Sequence, residues 1–197
     1  MHAATPAQQN VVRIIQDEHE SLAAVIRGMQ YFVRMIDQGK KAPDLRVFRA
    51  MLLYMNDYPE RVHHPKEDRF LFARLRQRTP EFDLTLAELE FQHARGAGLI
   101  HDIERALARY EFEGPPAFPA FFGLIEDFGS FYTTHIRLEE EIILPAAVRF
   151  LAEQDWLAID AGFSDIRDQM TGVLIRNDFA KLFSLIVDID PGSAAID

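Results

Sequence analysis

The chain contains no cysteine. This absence excludes disulfide bonds, thiolate zinc sites, iron–sulfur clusters held by thiolates and cysteine nucleophiles. The sequence also lacks an apolar run of the roughly 18 residues that a transmembrane helix needs. Its start, MHAATPAQQN, has neither the basic nor the apolar region of a secretory signal. We therefore expect a cytoplasmic protein.

Positive charge is scarce as well. The 197 residues include 31 Asp and Glu against 21 Lys and Arg, which gives a formal net charge of -10. Nucleic-acid binding needs a cationic face that displaces counterions from phosphates, and no basic cluster stands out. We expect neither nucleic acid nor a membrane surface as a partner. The hydrophobic content of 48%, with 16 Phe, is typical of a folded domain with a sizeable core.

Apolar residues recur at three- and four-residue steps along most of the chain, and no convincing alternating strand pattern is present. This periodicity predicts an all-α protein whose four long antiparallel helices form a bundle over residues 1–152. Pro59 and Pro65 predict a kink or a brief break in the second helix, and Pro145 should bend or stop the fourth. Turn and breaker signals place the helices at about 6–38, 43–77, 83–112 and 117–149.

Residues 153–197 are predicted to form a C-terminal helical extension packed on the same domain. One or two shorter helices are expected there, interrupted near the segment IRND. Two roles remain open for this extension: an output or homodimer surface, or a cover for one side of the bundle. Its apolar side chains include Trp156, Phe163, Met170, Leu174, Leu182 and Phe183.

One short pattern occurs twice, 72 residues apart. The segment HHPKEDRFLFA at 63–73 matches HIRLEEEIILP at 135–145. This match aligns His63 with His135 and Glu67 with Glu139. Acidic Asp68 falls on a second acidic residue of the later copy.

The helices that precede these two copies match as well. IIQDEHESLAAVI at 14–26 aligns with ELEFQHARGAGLI at 88–100, so that His19 falls on His93. Each half of the chain is therefore a helix with one His followed by a helix with His-x-x-x-Glu. Two such halves, packed about a pseudo-twofold axis, would bring four His and two Glu to one level of the bundle.

That level has the composition of a metal site. Residues four apart lie on one face of a helix, so each His-x-x-x-Glu can offer an imidazole and a carboxylate to one point. Buried carboxylates are costly unless they are neutralised. Two divalent ions would neutralise both carboxylates and use all four imidazoles. Mixed imidazole and carboxylate ligation suits iron, manganese or zinc rather than calcium. The candidate ligands are His19, His63, Glu67, His93, His135 and Glu139.

Other interpretations of these residues compete with that set. His–Glu pairs four apart are commonly surface ion pairs. Ferritin-like ligation uses Glu-x-x-His, a spacing that fits His63 and His93 but fails before His135, where Tyr132 stands. His64 points about 100° away from His63 on a regular helix, and we expect it behind the ligands or in solvent. For His101 we expect a capping or surface role.

The motifs resemble those of the hemerythrin-like, or HHE cation-binding, family. That family's pattern is a His on the first helix, HxxxE on the second, a His on the third and HxxxE on the fourth. DEHESL, HHPKEDRFLF, QHARG and HIRLEEEIILP stand in this order, over about residues 8–150. The resemblance implies a non-haem di-iron centre in a four-helix bundle, with the four His as terminal and the two Glu as bridging ligands. It also implies roles in oxygen binding, iron or oxygen sensing, or oxidative and nitrosative stress.

The chain departs from two branches of that family. The oxygen-carrying members of the family have the pattern HxxxH on the third helix, whereas Ala97 stands four residues after His93 here. On the fourth helix they have a His followed by a more distant Asp, and here Glu139 takes the place of that Asp. One imidazole fewer should leave more metal positions open to water, oxygen, peroxide or nitric oxide. The cysteine-containing segment of the iron–sulfur repair branch is absent too. Two functions stay open: a protein that binds or senses such a ligand, and a redox di-iron enzyme acting on peroxide or nitric oxide.

Overall fold

The described part of the chain is helical. The computed structural model describes residues 4–40 and 44–170, and these residues contain no β-strand, which confirms the predicted all-α class. Across the same residues, no helix combines the length and the apolar character needed to cross a membrane. We number the helices α1 (Pro6–Asp37), α2 (45–78), α3 (Asp83–Glu113), α4 (118–150) and α5 (Glu153–Met170).

Helix α1 begins and ends at residues that suit helix termini. The Thr5 side chain accepts a hydrogen bond from the Gln8 backbone N–H, and Pro6 stands in the first turn, where its missing N–H costs little. Gly39 has a φ of 67° just beyond the last turn, a backbone conformation that favours glycine. The predicted end of this helix is therefore correct within one residue.

Helix α2 is continuous but irregular. A proline inside a helix removes one backbone donor, and a wide π turn can absorb the mismatch without ending the helix. The disturbance predicted near Pro59 and Pro65 is therefore present as a widening and not as a break. Its segments are Leu45–Tyr58, the π turn Pro59–His63, His64–Lys66, the π segment Glu67–Phe72, and Ala73–Arg78.

Helix α4 repeats this irregularity at the equivalent place. The regular segment Phe118–Leu138 is followed by the π segment Glu139–Ile143 and then by Leu144–Phe150. Pro145 does not stop the helix, contrary to one of the two expectations for it. It stands in the first turn of the last segment, the part of a helix that best tolerates a missing N–H.

The first four helices close into a bundle. Helix α1 packs against α2 and α4, and α3 packs against the same two helices. Two hydrophobic clusters fill the bundle, one on each side of a polar layer. Along α1 the polar layer separates Ile15 from Leu22, and along α2 it separates Met55 from Leu71. The order of the two clusters reverses from each helix to the next, which shows that neighbouring helices are antiparallel.

Helix α5 covers the end of the bundle that contains Leu71. Its side chains Trp156, Ile159 and Phe163 are buried in the same cluster. Asp155 ties the start of α5 to α2, because its carboxylate accepts two hydrogen bonds from Arg78, at 2.7 and 2.9 Å. The domain division at residue 152 stays a prediction, and the expected interruption at IRND, together with Leu174, Leu182 and Phe183, lies outside the described residues.

Candidate metal centre

The polar layer between the two clusters holds all six candidate ligands. Helix α1 contributes one imidazole and α3 another, while α2 and α4 each contribute an imidazole and a carboxylate. No member is more than 5% exposed, although all six are polar or charged. The members are His19, His63, Glu67, His93, His135 and Glu139. Their role as metal ligands stays a prediction, but the structure brings them together.

The Glu139 carboxylate lies between imidazoles of both halves of the bundle. Its Oε2 is 3.0 Å from His19 Nε2. Its Oε1 is 3.5 Å from His93 Nε2 and 3.5 Å from His135 Nε2. One oxygen therefore faces the first half of the chain and the other faces the second half, which is the placement that a bridging carboxylate requires.

Glu67 occupies the corresponding position on α2. Its Oε1 is 3.5 Å from His19 Nε2, and its Oε2 is 3.5 Å from His63 Nε2. The same Oε2 is 3.6 Å from His93 Nε2. Each of the two carboxylates thus contacts histidines from both halves, so neither belongs to one half alone.

A ring of outer acceptors orients the four imidazoles. His19 Nδ1 donates to Glu140 at 2.9 Å, and His93 Nδ1 donates to Asp68 at 2.9 Å. With Nδ1 occupied in this way, Nε2 faces the carboxylates and is free to act as a metal ligand. Metal-bound histidines commonly have an outer partner of this kind, which fixes the ring and its tautomer.

The other two histidines follow the same rule but with unlike partners. His63 Nδ1 donates to the carboxylate of Glu18 at 3.0 Å, whereas His135 Nδ1 donates to the amide oxygen of Gln92 at 3.0 Å. Glu18 and Gln92 stand at equivalent positions of the repeat, each directly before the candidate ligand His of its helix. The pseudo-twofold symmetry therefore extends to the outer ring, and the exchange of Glu for Gln is a departure from it.

Glu18 is the most heavily engaged of these acceptors. Besides the His63 hydrogen bond, it forms an ion pair with Lys66, whose side chain is buried and lies 5.8 Å from the ring centre of Phe163 on α5. Burial alone would raise the pKa of Glu18, but His63 and Lys66 together lower it below its ordinary value. Glu18 is consequently a permanent anion behind His63.

The environment of the layer shifts the pKa values of three of its histidines. Burial disfavours the charged form of His19, yet Glu139 and Glu67 outweigh burial and raise its pKa to about 11. Against the same burial penalty, Asp68 and the two inner carboxylates raise the pKa of His93 to about 10. Burial lowers the pKa of His135 to about 4, so this ring stays neutral. The layer thus favours positive charge at His19 and His93, beside the inner carboxylates.

The inner atoms of the layer have the environment of metal ligands. Four imidazole Nε2 atoms and four carboxylate oxygens are buried there, and their closest contacts across the layer are 3.0–3.6 Å without the geometry of a regular hydrogen bond. Leaving buried polar atoms without hydrogen bonds costs about 1–3 kcal/mol each, and more for charged groups. Ligand atoms of His19, His63, Glu67 and Glu139 all lie within 4.8 Å of one another. The donor set and its spacing fit a divalent cation.

The comparison with protein families agrees with this geometry. The family model for the hemerythrin HHE cation binding domain matches residues 10–147. The chain belongs to this family. The match covers α1 to α4 almost completely and includes every candidate ligand, whereas α5 lies beyond it. No curated protein sequence matches the chain.

Within this HHE bundle, His64 lies deeper than its sequence position indicates. Of its two expected positions, the one in solvent is wrong, because His64 is 4% exposed, and the one behind the ligands stays a prediction. Its ring stacks on that of His93, with ring centres 3.9 Å apart and planes 12° apart. The π turn Pro59–His63 ends directly before it, and the widened helix buries two consecutive histidines. Sequence periodicity could not show this, since it assumes 100° per residue.

Glu90, which precedes His93 in the Glu-x-x-His spacing of the ferritin-like alternative, lies outside the layer, and so does His101. Glu90 is turned toward α2, where both of its carboxylate oxygens bind Arg76, so it is not directed at the layer. His101 is exposed, with its Nδ1 3.8 Å from Glu104. His101 therefore lies at the surface, as the sequence predicted.

Proposed function

We propose that the protein holds a non-haem di-iron centre and uses it to bind or sense oxygen or a related small ligand, such as peroxide or nitric oxide. The four imidazoles would be terminal ligands and the two carboxylates bridging ligands. The observation that carries the proposal is the set of eight buried imidazole and carboxylate atoms that face one another at 3.0–3.6 Å across the layer. Such an arrangement is unfavourable in itself, and cations at its centre would make it favourable.

Iron fits this site for chemical reasons. A mixture of imidazole nitrogen and carboxylate oxygen suits iron, manganese or zinc, and of these zinc is without redox chemistry. When bound, a pair of iron ions would supply the electrons that oxygen and its relatives require. The protein's own contribution is to orient the ligands through the outer acceptors and to exclude bulk water through the two hydrophobic clusters.

The sequence leaves the choice between binder and enzyme to experiment. Protein produced with iron and purified without air should be exposed to oxygen, peroxide and nitric oxide in turn while its absorption spectrum is recorded. A binding or sensing protein is expected to show spectral changes that reverse when the ligand is removed. Turnover of many equivalents of peroxide or nitric oxide would instead establish the redox enzyme. A spectrum that responds to none of the three would refute both functions.

Two variants make this experiment specific to the site. His93→Ala removes a candidate ligand and should reduce both the iron content and the spectral response. His101→Ala removes an exposed histidine of the same helix and should leave both unchanged. A cytoplasmic location and the exclusion of nucleic-acid and membrane partners stay predictions from the sequence.

A further inference from the structure

A fifth imidazole stands in the polar layer, and it lies in one half of the centre only. The ring of His64 is 3.9 Å from that of His93 and 6.1 Å from that of His135, measured between ring centres. One nitrogen from each of these three rings lies within 4.8 Å of the other two. Three buried imidazoles with donor atoms this close form a second group, separate from the one around His19.

The repeat shows that this feature is not shared by the two halves. His63 aligns with His135, so the residue equivalent to His64 is Ile136. The second copy has an apolar residue at this sequence position, and no π turn precedes it, because the segment Phe118–Leu138 is regular. The imidazole of His64 and the π turn that buries it are therefore features of the first half alone.

We propose that His64 is a third imidazole ligand of the ion held by His93 and His135. The inference rests on the proposed di-iron centre and deepens it by making the two ion positions unequal. The position between His19 and His63 would have two imidazoles, and the other would have three. Both would share the two carboxylates.

The consequence concerns where a small ligand binds. The position with fewer protein donors has more room for oxygen, peroxide or nitric oxide, and this is the position next to His63. The outer ring adds to the difference, because His63 donates to a carboxylate and His135 to an amide. A carboxylate acceptor makes an imidazole a stronger donor to metal. The ion near His63 would thus have fewer but more basic imidazoles.

The test compares truncations at His64 and at its symmetry partner. Cobalt(II) is titrated into metal-free wild-type protein, His64→Ala and Ile136→Ala, and the visible absorption of the bound ion is followed. Wild-type protein and Ile136→Ala are each expected to bind two ions, and the two affinities measured for Ile136→Ala should equal those of the wild type. His64→Ala should keep one affinity unchanged and lose at least about tenfold in the other. Free imidazole, which fits the space left by the truncation, should restore part of that loss.

Double variants assign His64 to one ion. His64→Ala combined with His93→Ala removes two ligands from the same ion, and about one ion should remain tightly bound. His64→Ala combined with His19→Ala weakens both positions, and neither ion should remain at wild-type affinity. Circular dichroism of each metal-free protein shows whether its helices are intact.

The results that overturn the inference are distinct from those that overturn the di-iron centre. If His64→Ala binds two ions with wild-type affinities, His64 is a packing residue and the inference is wrong, while the centre stands. The inference is also wrong if the double variant with His93→Ala loses both ions and the one with His19→Ala keeps one. If wild-type protein takes up neither cobalt nor iron, the proposed function itself fails.

Discussion

Replacement of Glu139 by glutamine is the sharpest perturbation that the geometry offers. The amide keeps the volume of the side chain and removes its charge. Glu139 Oε2 lies 3.0 Å from His19 Nε2, and Oε1 lies 3.5 Å from His135 Nε2, so that one carboxylate serves both halves of the site. Its neutralisation should weaken both ions at once. His93→Ala, in contrast, removes a ligand from one ion only.

The size of the effect follows from linkage between metal binding and folding. An ion present at 100 times its dissociation constant adds about 2.7 kcal/mol to the free energy of unfolding. For a chain of this size, each kcal/mol shifts the thermal midpoint by about 2–4 °C. Loss of one ion from His93→Ala should therefore lower the midpoint by about 5–11 °C. Loss of both from Glu139→Gln should lower it by about twice as much.

The assay is metal analysis combined with thermal unfolding of proteins prepared with the same iron supply. Glu139→Gln should retain between zero and one iron per chain, and His93→Ala about one. Glu90→Gln serves as the matched control, because Glu90 is a carboxylate on α3 that binds Arg76 outside the layer. It should retain the wild-type iron content. Two tightly held ions in Glu139→Gln would refute the bridging role and, with it, the symmetric arrangement of the ligands.

Two further predictions concern protons and packing. His19 and His93, with pKa values raised to about 11 and about 10, must each lose a proton when metal binds. Metal affinity should therefore rise with pH up to about 11, less steeply above about 10. Calorimetry at pH 8 in buffers of different ionisation enthalpy should show release of about two protons per chain. Gly162→Ala would place a methyl group 2.2 Å from the Phe70 ring and should cost about 1–3 kcal/mol in chemical denaturation. Gly123→Ala, whose added methyl group has no neighbour within 4 Å, should instead stabilise the helix by up to about 1 kcal/mol.

The set of candidate ligands could be predicted from the sequence because its signal is a repeat. A single His-x-x-x-Glu has little specificity, but two copies, each preceded by a helix with an aligned histidine, constrain one another. Helical periodicity then places all of these residues on buried faces. The structure brings His19 and His93 to the same level as the two His-x-x-x-Glu pairs, as the pseudo-twofold symmetry required.

For the outer acceptors, the sequence predicted the positions but not the histidines to which they bind. Asp68 and Glu140 align as acidic residues in the repeat, and Glu18 aligns with Gln92, so their positions carried a signal. Their partners did not, because His93 donates to a residue of α2 and His19 to a residue of α4. These acceptor–histidine pairs depend on the axial register of neighbouring helices, and the sequence alone does not specify that register.

For His64, only one of the two expected positions is wrong: the side chain is not in solvent, while a place behind the ligands stays a prediction. A regular helix turns consecutive side chains 100° apart, which would carry His64 away from the layer that holds His63. The π turn at Pro59–His63 changes this angle locally, and the sequence offers only the prolines as a hint of it. The same kind of widening at Glu139–Ile143 carries α4 past the point where Pro145 was expected to disturb it.

The central claim is that this layer holds two metal ions joined by shared carboxylates. The most direct measurement is the iron content of wild-type protein reconstituted with ferrous iron without air, together with its low-temperature magnetic spectrum. We predict about two irons per chain whose spins are coupled, since Glu67 and Glu139 each contact imidazoles of both halves. One iron per chain or fewer, or two irons without magnetic coupling, would contradict it.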